Sequence, residues 1–183
     1  MIFHPEYHQR RLEATLQAYG IQAQYDLHAL LSPPGQGLYR CRVLYDGNKI
    51  DISYRPYQMR TFNSLQAVED NSIDYGYKYA DREQLDALFA KRAESDDIVI
   101  VKNGLITDTT IANIAFFDGE NWVTPAQPLL HGTTRQRLID EGRLIEKTVS
   151  VQDLSLYSKV AVMNAMTGFV EVRNGIIFSK ETR

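Results

Sequence analysis

A dense group of polar residues lies between two apolar runs near the middle of the chain. Asp108, Thr109, Thr110 and Asn113 place a carboxylate, two hydroxyls and an amide within six residues, between the runs 98–101 and 111–117. An unpaired polar group buried there would cost roughly 1 to 3 kcal/mol, so these side chains must pair with each other or with a ligand. The alternative is a turn whose hydroxyls satisfy only its own backbone. These residues alone leave both interpretations open.

A lysine surrounded by aromatic residues precedes a predicted helix. Lys78 lies between Tyr77 and Tyr79, and Tyr75 stands three residues before it. A lysine that such neighbours partly desolvate loses proton affinity and becomes a nucleophile or base, as Schiff-base chemistry requires. The alternative is a surface lysine whose aliphatic stem packs on a ring while its amine stays in water.

Gly132, Thr133 and Thr134 stand at the start of another predicted helix. The free N–H groups and the positive dipole end of a helix start suit a phosphate, although threonine at this position is also an ordinary helix cap. Asn164 and Ala165 lie in a predicted loop that follows a strand. The four histidines have no metal-ligand spacing, so no metal site is predicted.

The elements that must position these residues are mixed α and β, with strands joined mostly by hairpins. Helices are predicted over residues 5–19, 26–31, 81–92, 132–142 and 151–157, with Asp81 as a cap and Gln84 completing a capping box. Strands are predicted over residues 38–45, 49–54, 64–68, 98–101, 111–117, 122–125, 144–150 and 159–163. The tail, residues 169–178, is predicted to form a hairpin around Asn174-Gly175.

Composition bounds the class of protein. The 183 residues are 44% hydrophobic, which supports a real core. One cysteine, Cys41, excludes an internal disulfide framework, and no apolar run approaches the roughly 18 to 20 residues that span a bilayer. The N-terminus lacks the apolar core of a signal peptide, so a cytoplasmic protein without a membrane partner is expected. A net charge of −3 with scattered basic residues predicts no nucleic-acid partner.

In this order, the residues resemble the class IV aminotransferase family, the fold type IV pyridoxal-phosphate enzymes. This family includes branched-chain and D-amino acid aminotransferases and aminodeoxychorismate lyase, and the resemblance covers nearly the whole chain. Residues 7–12, Tyr-His-Gln-Arg-Arg-Leu, match its His-x-x-Arg-Leu helix. Residues 104–116 follow its pattern of Gly, Glu and Asn around the pyridine nitrogen, and residues 132–135, Gly-Thr-Thr-Arg, match its phosphate-binding turn.

The resemblance implies a pyridoxal 5'-phosphate site. Lys78 takes the place of the lysine that bonds to the cofactor, and Asp108 takes that of the Glu beside the pyridine nitrogen. The remaining implied cofactor-binding residues are Arg11, Asn113, Gly132, Thr133, Thr134, Asn164 and Ala165. The implied fold is α+β and D-amino acid aminotransferase-like, with a small N-terminal α/β domain, residues 1–66, and a larger cofactor-binding domain, residues 67–183. The boundary is expected near residues 60 to 72, and a homodimer is implied.

The implied activity is chemistry on an amino acid or an amino-substituted small-molecule carboxylate. It is either transamination or the cleavage of 4-amino-4-deoxychorismate into 4-aminobenzoate and pyruvate, and Asn164-Ala165 is more similar to the lyase branch. Relatives in the family carry a strand before the His-x-x-Arg helix, whereas this chain starts almost at that helix. Either the gene start is misplaced or the small domain lacks its first strand. Asp108 is also one methylene shorter than Glu.

A further departure concerns the substrate carboxylate. Where relatives carry an arginine for this group, residues 46–49 read Asp-Gly-Asn-Lys, which leaves Lys49, Arg40 or Arg42 as weak substitutes. The missing strand and missing arginine favour another interpretation, a catalytically inert relative that binds the cofactor or another protein. The retained lysine, acid and phosphate turn favour the enzyme.

Overall fold

The structure, a computed structural model, describes residues 1–178. The chain forms two compact units, Met1–Met59 and Arg60–Arg183. This division falls at the lower edge of the region 60–72 expected from the sequence. A boundary between residues 66 and 67 would instead cut a strand, Leu65–Glu69.

The first unit contains two helices and one hairpin. Its elements are α1 (Pro5–Ala18), α2 (Leu27–Leu30), β1 (Tyr39–Tyr45) and β2 (Ile50–Pro56), and the two strands pair antiparallel. Asp26 caps α2 by accepting hydrogen bonds from the His28 and Ala29 amides. Buried leucines of both helices pack against partly buried residues of the hairpin. All four elements agree with the sequence predictions.

The second unit contains two sheets. Its elements in chain order are β3 (Leu65–Glu69), α3 (Glu83–Phe89), β4 (Asp97–Lys102), β5 (Leu105–Ile106), β6 (Asn113–Phe117), β7 (Trp122–Pro125), α4 (Thr133–Asp140), β8 (Ile145–Lys147), a 3-10 helix (Gln152–Leu156), β9 (Lys159–Asn164), β10 (Gly168–Glu171) and β11 (Ile176–Ile177). One sheet has the strand order β11-β3-β4-β5, and the other has the order β10-β9-β6-β7-β8. The predicted mixture of α and β is confirmed. In residues 1–178, no helix has the length and apolar character needed to cross a membrane.

Strand β4 is buried on both faces, which accounts for its unbroken apolar run. Val99 and Val101 belong to a core cluster shared with β6 and β9 of the other sheet, so this cluster lies between the sheets. Ile98 and Ile100 point the other way and pack with buried leucines of α3. A third cluster lies between the five-stranded sheet and α4. The second unit is therefore layered as helix, sheet, sheet and helix.

The chain crosses from the first sheet to the second through residues 107–112, which we call the polar loop. Before it, Asn103 and Gly104 adopt φ angles of 53° and 75° in the tight turn between β4 and β5, as the Asn-Gly signal predicts. The predicted strand over residues 111–117 begins only at Asn113. It starts late because the Thr109 hydroxyl accepts a hydrogen bond from the Ala112 amide, which closes residues 109–112 into a turn.

The predicted hairpin over residues 169–178 is wrong. Strand β10 pairs antiparallel with β9, whereas β11 pairs parallel with β3 in the other sheet. Gly175 does adopt a turn conformation, with φ of 70°. The turn sends the chain to a different sheet, where the Leu65 amide donates to the Gly175 carbonyl at 3.0 Å.

The helix predicted over residues 81–92 is shorter than expected. It spans Glu83–Phe89, and its N-cap is Arg82, which makes no side-chain cap hydrogen bond. The Asp81 carboxylate still accepts from the Glu83 amide at 2.9 Å, so it satisfies a first-turn donor from one position before the cap. The strand predicted over residues 144–150 is also shorter, Ile145–Lys147.

Candidate functional site

Asp108 is a buried carboxylate at the centre of the polar loop, with 4% of its surface exposed. Its Oδ1 accepts a hydrogen bond from Asn113 Nδ2 at 2.7 Å, and its Oδ2 accepts from the Leu130 amide at 2.9 Å. Its carbonyl accepts from the Ile100 amide, so the main chain is fixed as well. The Asp108 carboxylate is therefore paired with protein groups outside the polar loop, and each of its oxygens can still accept a further donor because each has two lone pairs.

Burial raises the pKa of Asp108 from its usual 3.8 to about 6. The hydrogen bonds from Leu130 and Asn113 oppose this rise, and so does the charge of Arg135. Asp108 is therefore an acid with a pKa of about 6, and the groups that donate to its carboxylate are neutral. Such a group is suited to share a proton with a weakly basic ring nitrogen.

Asn113 joins this acid to the start of α4. Its Nδ2 donates to Asp108 and also to the Leu130 carbonyl at 2.8 Å. A Cβ placed on Gly132 would fall on Asn113 Oδ1, so only glycine leaves room for the amide at this point. The need for glycine here is spatial, because its φ of −71° is open to any residue.

The first turn of α4 has the features that suit an anion. Gly132 is its N-cap and supplies no capping side chain, and Thr133 and Thr134 are both buried. Their amide groups precede the first intrahelical bond, from the Gln136 amide to the Gly132 carbonyl, so helix geometry gives them no acceptor in the helix. The dipole end of the helix adds positive potential at the same position.

Arg135 lies in the first turn of α4, and its side chain is 1% exposed. Its Nη2 donates to the Pro125 carbonyl at 2.9 Å and to Glu146 Oε1 at 2.6 Å. These bonds tie the helix start to β7 and β8. From its sequence, Arg135 has no role beyond its place in the phosphate-turn motif, because a charged residue in a first helical turn is more often exposed.

The turn after β9 meets the polar loop from another side. Asn164 Nδ2 donates to the Ile111 carbonyl at 3.2 Å, while its Oδ1 accepts from the Met166 and Thr167 amides and from the Thr167 hydroxyl. Its side chain is thus used to shape the turn. A phosphate contact at Asn164 and Ala165 would have to come from main-chain atoms.

Lys78 is exposed, so the expected desolvation of its amine does not follow from this structure. Among its aromatic neighbours, Tyr75 donates its hydroxyl to the Tyr79 carbonyl at 2.9 Å, and the two rings meet edge to face. The segment is linked to the polar loop four residues later, where Arg82 Nη2 donates to the Thr110 carbonyl at 3.1 Å. Arg82 was not identified from the sequence.

Arg11 lies in α1 of the first unit, and its role as a phosphate ligand stays a prediction. Burial and the charge of Arg11 lower the pKa of the neighbouring His8 to about 4, so this histidine is neutral at physiological pH. Of the substitutes considered for a substrate carboxylate, Arg40 and Arg42 are exposed on β1, and Lys49 forms an exposed ion pair with Asp51.

Gly132→Ala should destabilise the ligand-free protein, because the new methyl group would displace the Asn113 amide from Asp108 and Leu130. The loss of hydrogen bonds at a buried carboxylate is expected to cost about 1 to 3 kcal/mol in urea unfolding. Gly76→Ala is the matched control, since a Cβ there meets nothing closer than 3.9 Å, and it should change stability by less than about 0.5 kcal/mol. Equal effects of the two substitutions would contradict the packing of Asn113 against Gly132.

Asp108→Asn should alter the pH dependence of stability. Because burial raises the folded-state pKa of Asp108, its protonated form contributes stability that is fully present below about pH 4 and is lost as the pH rises through 6. A rise of about two units corresponds to about 3 kcal/mol. The unfolding free energy of the variant minus that of the wild type should therefore increase by about this amount between pH 4 and pH 7.

The exposed Asp118→Asn is the control for this titration. Backbone hydrogen bonds lower the pKa of Asp118, so the difference between this variant and the wild type should fall, not rise, with pH. Parallel stability curves for Asp108→Asn and the wild type would show that Asp108 has an ordinary pKa.

The chain is similar to known proteins over most of its length. A Haemophilus influenzae protein described only as an uncharacterized protein is 37% identical over 167 residues, which cover 88% of this chain and 89% of that protein. A crystal structure of a candidate 4-amino-4-deoxychorismate lyase from Haemophilus somnus is 32% identical, with a TM-score of 0.82 and 89% of each chain covered. The 4-amino-4-deoxychorismate lyase of Pseudomonas aeruginosa shares the fold at 18% identity, with a TM-score of 0.71 over 93% of this chain and 77% of that one.

The family described as amino-transferase class IV matches residues 1–174, from α1 to the last turn before β11. This match covers the lysine, the buried acid and the helix start together. The α+β fold of type IV enzymes expected from the sequence is confirmed by the structural neighbours. The chain therefore belongs to the class IV aminotransferase family and is an enzyme of the pyridoxal-phosphate-dependent kind.

Proposed function

We propose that this protein binds pyridoxal 5'-phosphate and cleaves 4-amino-4-deoxychorismate into 4-aminobenzoate and pyruvate. The observation that supports cofactor binding best is the connection of a buried acid to a helix start. Asp108 is bonded to Asn113, and Asn113 packs against Gly132 at the start of α4. An acid for a ring nitrogen and amides for a phosphate are thus parts of one hydrogen-bonded unit.

The residues fit the cofactor in chemistry as well as in arrangement. A protonated pyridine nitrogen is a donor, and Asp108 offers an acceptor whose raised pKa suits a shared proton. A phosphate is a dianion, and the helix start offers amides and a positive dipole. Gly132 leaves room for Asn113 beside this helix start and supplies no capping side chain. Arg11 would add a charge-assisted contact to the phosphate.

When bound, pyridoxal phosphate supplies an electron-withdrawing ring that acidifies the substrate carbon carrying the amino group. Lys78 Nζ would hold the cofactor and would move the proton at that substrate carbon. Asp108 would keep a proton at the ring nitrogen, and Asn113 holds the Asp108 carboxylate in place. The Thr133 and Thr134 amides would bind the phosphate.

The choice of lyase over aminotransferase is supported by the resemblance of Asn164-Ala165 to the lyase branch and by the 32% identity to the Haemophilus somnus protein. The cleavage needs no second substrate, because the atoms of 4-amino-4-deoxychorismate equal those of 4-aminobenzoate plus pyruvate. We expect a cytoplasmic homodimer, as the sequence analysis implies for this family. An inert relative would bind the cofactor without turnover.

Lys78 should carry the cofactor. Borohydride converts the imine between a lysine and pyridoxal phosphate into a stable secondary amine, so reduction, proteolysis and mass mapping should find a pyridoxyl group on the peptide containing Lys78. Lys78→Ala should lose the visible absorbance band and all activity. Lys91→Ala, at the end of the α3 region, is the control and should keep both. Labelling of another lysine, or of none at saturating cofactor, would overturn the assignment.

Wild-type protein with cofactor should release 4-aminobenzoate and pyruvate in equal amounts, measured by fluorescence and by a coupled dehydrogenase assay. Asp108→Asn should retain cofactor but lose at least about 100-fold in kcat, because a neutral amide cannot stabilise charge at the ring nitrogen. A screen of amino acid half-reactions serves as the comparison. Transfer of an amino group without 4-aminobenzoate would assign an aminotransferase, and bound cofactor without either reaction would assign an inert relative.

A further inference from the structure

Thr110 is held from two sides by charged residues that the proposed reaction does not use. Its hydroxyl donates to Asp97 Oδ1 at 2.7 Å, and its carbonyl accepts from Arg82 Nη2 at 3.1 Å. Thr110 lies in the polar loop two residues after Asp108 and is 4% exposed. Movement of Thr110 would therefore move the buried acid.

Asp97 is a buried carboxylate that costs stability. It begins β4 and is 1% exposed. Its Oδ1 accepts from both the Ile98 amide and the Thr110 hydroxyl, while its Oδ2 has no hydrogen-bond partner in the described part of the chain. A buried polar atom without a partner costs roughly 1 to 3 kcal/mol. An apolar residue at position 97 would avoid this cost, so stability alone does not account for Asp97. Its hydrogen bond from Thr110 is the contact that suggests another role.

Arg82 belongs to the segment that carries Lys78. It is the N-cap of α3, four residues after the lysine, and its Nε forms an ion pair with Asp86 of the same helix at 3.6 Å. Its other contact crosses to the polar loop at the Thr110 carbonyl. Arg82 therefore links the segment before α3 to the loop of Asp108 by a single side chain.

We propose that Arg82 and Asp97 are positioning residues that clamp Thr110 and thereby set the distance between the Lys78 segment and the Asp108 carboxylate. This inference rests on the proposed function, in which the lysine and the acid act on opposite parts of one rigid ring. The size of that ring fixes how far apart the two groups must stand. Thirty residues of helix, turn and strand separate them in sequence, and an error of about 1 Å in such placement costs about 100-fold in rate.

If the clamp served only to stabilise the fold, its variants would lose activity only in proportion to their loss of stability. Two other residues of the chain serve as matched controls. Thr124 is also a buried threonine, and its hydroxyl donates to the Ile114 carbonyl of β6 at 2.8 Å, outside the polar loop. Arg92 also donates from its guanidinium to a carbonyl, that of Phe89, at the other end of α3. Thr110→Val and Thr124→Val each remove one buried hydroxyl. Arg82→Gln removes the bond to the Thr110 carbonyl and the ion pair with Asp86, and Arg92→Gln removes the bond to the Phe89 carbonyl and the contact with the Phe89 ring.

The first measurement uses the ligand-free protein and amide hydrogen exchange. Thr110→Val and Arg82→Gln should speed exchange of the Ile100 and Thr109 amides, which bond to the Asp108 and Ala112 carbonyls, by about tenfold or more relative to the rest of β4. Thr124→Val and Arg92→Gln should leave these two amides unchanged. Thr110→Ser, which keeps the hydroxyl, should restore protection. Unchanged exchange in both Thr110→Val and Arg82→Gln would overturn the clamp, even if the wild type is active.

The second measurement uses the enzyme with bound cofactor. Thr110→Val and Arg82→Gln should lower kcat by about 10- to 100-fold with the cofactor Kd changed less than about threefold, because position is lost and not binding. The control variants should keep kcat. If all four variants lose activity only in proportion to stability, the clamp is structural and the inference is wrong. If the wild type neither binds cofactor nor turns over, the proposed function fails, and the exchange measurement still decides the clamp.

Discussion

The structure of the second unit depends on the burial of one carboxylate, Asp108. A carboxylate removed from water without a cation must be stabilised by hydrogen bonds, or it will hold a proton. Here an amide side chain and one main-chain N–H supply those bonds. The N–H belongs to Leu130, which precedes α4, so stabilising the acid also fixes where that helix begins.

The need to satisfy buried polar groups also explains why polar residues are dense in the polar loop between the two sheets. Strands β5 and β6 belong to different sheets, and a chain that crosses between sheets leaves its main-chain groups without ladder partners. Arg82, the N-cap of α3, and Asn164 of β9 donate to the main-chain carbonyls of Thr110 and Ile111. Asp97 of β4 accepts from the Thr110 hydroxyl. These three bonds restrain the crossing on which Asp108 lies.

Local sequence signals predicted the elements well where local interactions determine them. The Asn103-Gly104 turn and the short helix predicted over residues 26–31 depend on residues next to each other, and both formed as expected. The Asn174-Gly175 signal also formed a turn, yet the strand after it joined a distant partner, because pairing with β3 depends on a sheet edge that no local pattern reveals.

In the candidate site, too, contacts between residues close in sequence could be predicted, and contacts between residues distant in sequence could not. The membership of Asp108 and Asn113 in one polar group could be predicted, since they are five residues apart and cannot both be buried unpaired. Asp97 and Arg82 could not, because an acid before an apolar strand and an arginine before a helix are ordinary surface residues until the fold brings them to Thr110. The interpretation of Lys78 as partly desolvated rested on its aromatic neighbours, and the residue is exposed, as in the alternative of a surface lysine.

The parallel pairing of β11 with β3 has a consequence for how the second unit folds. The first strand of this unit lies between β4 and a strand that is made more than a hundred residues later. Closing so long a loop carries a large entropic cost before the new contacts return any stability, so this pairing should form late. During synthesis, the edge of β3 stays open until β11 leaves the ribosome, and an open edge is a place where another chain can add a strand. The short β11 therefore acts as a cover for a sheet edge that is otherwise exposed during folding.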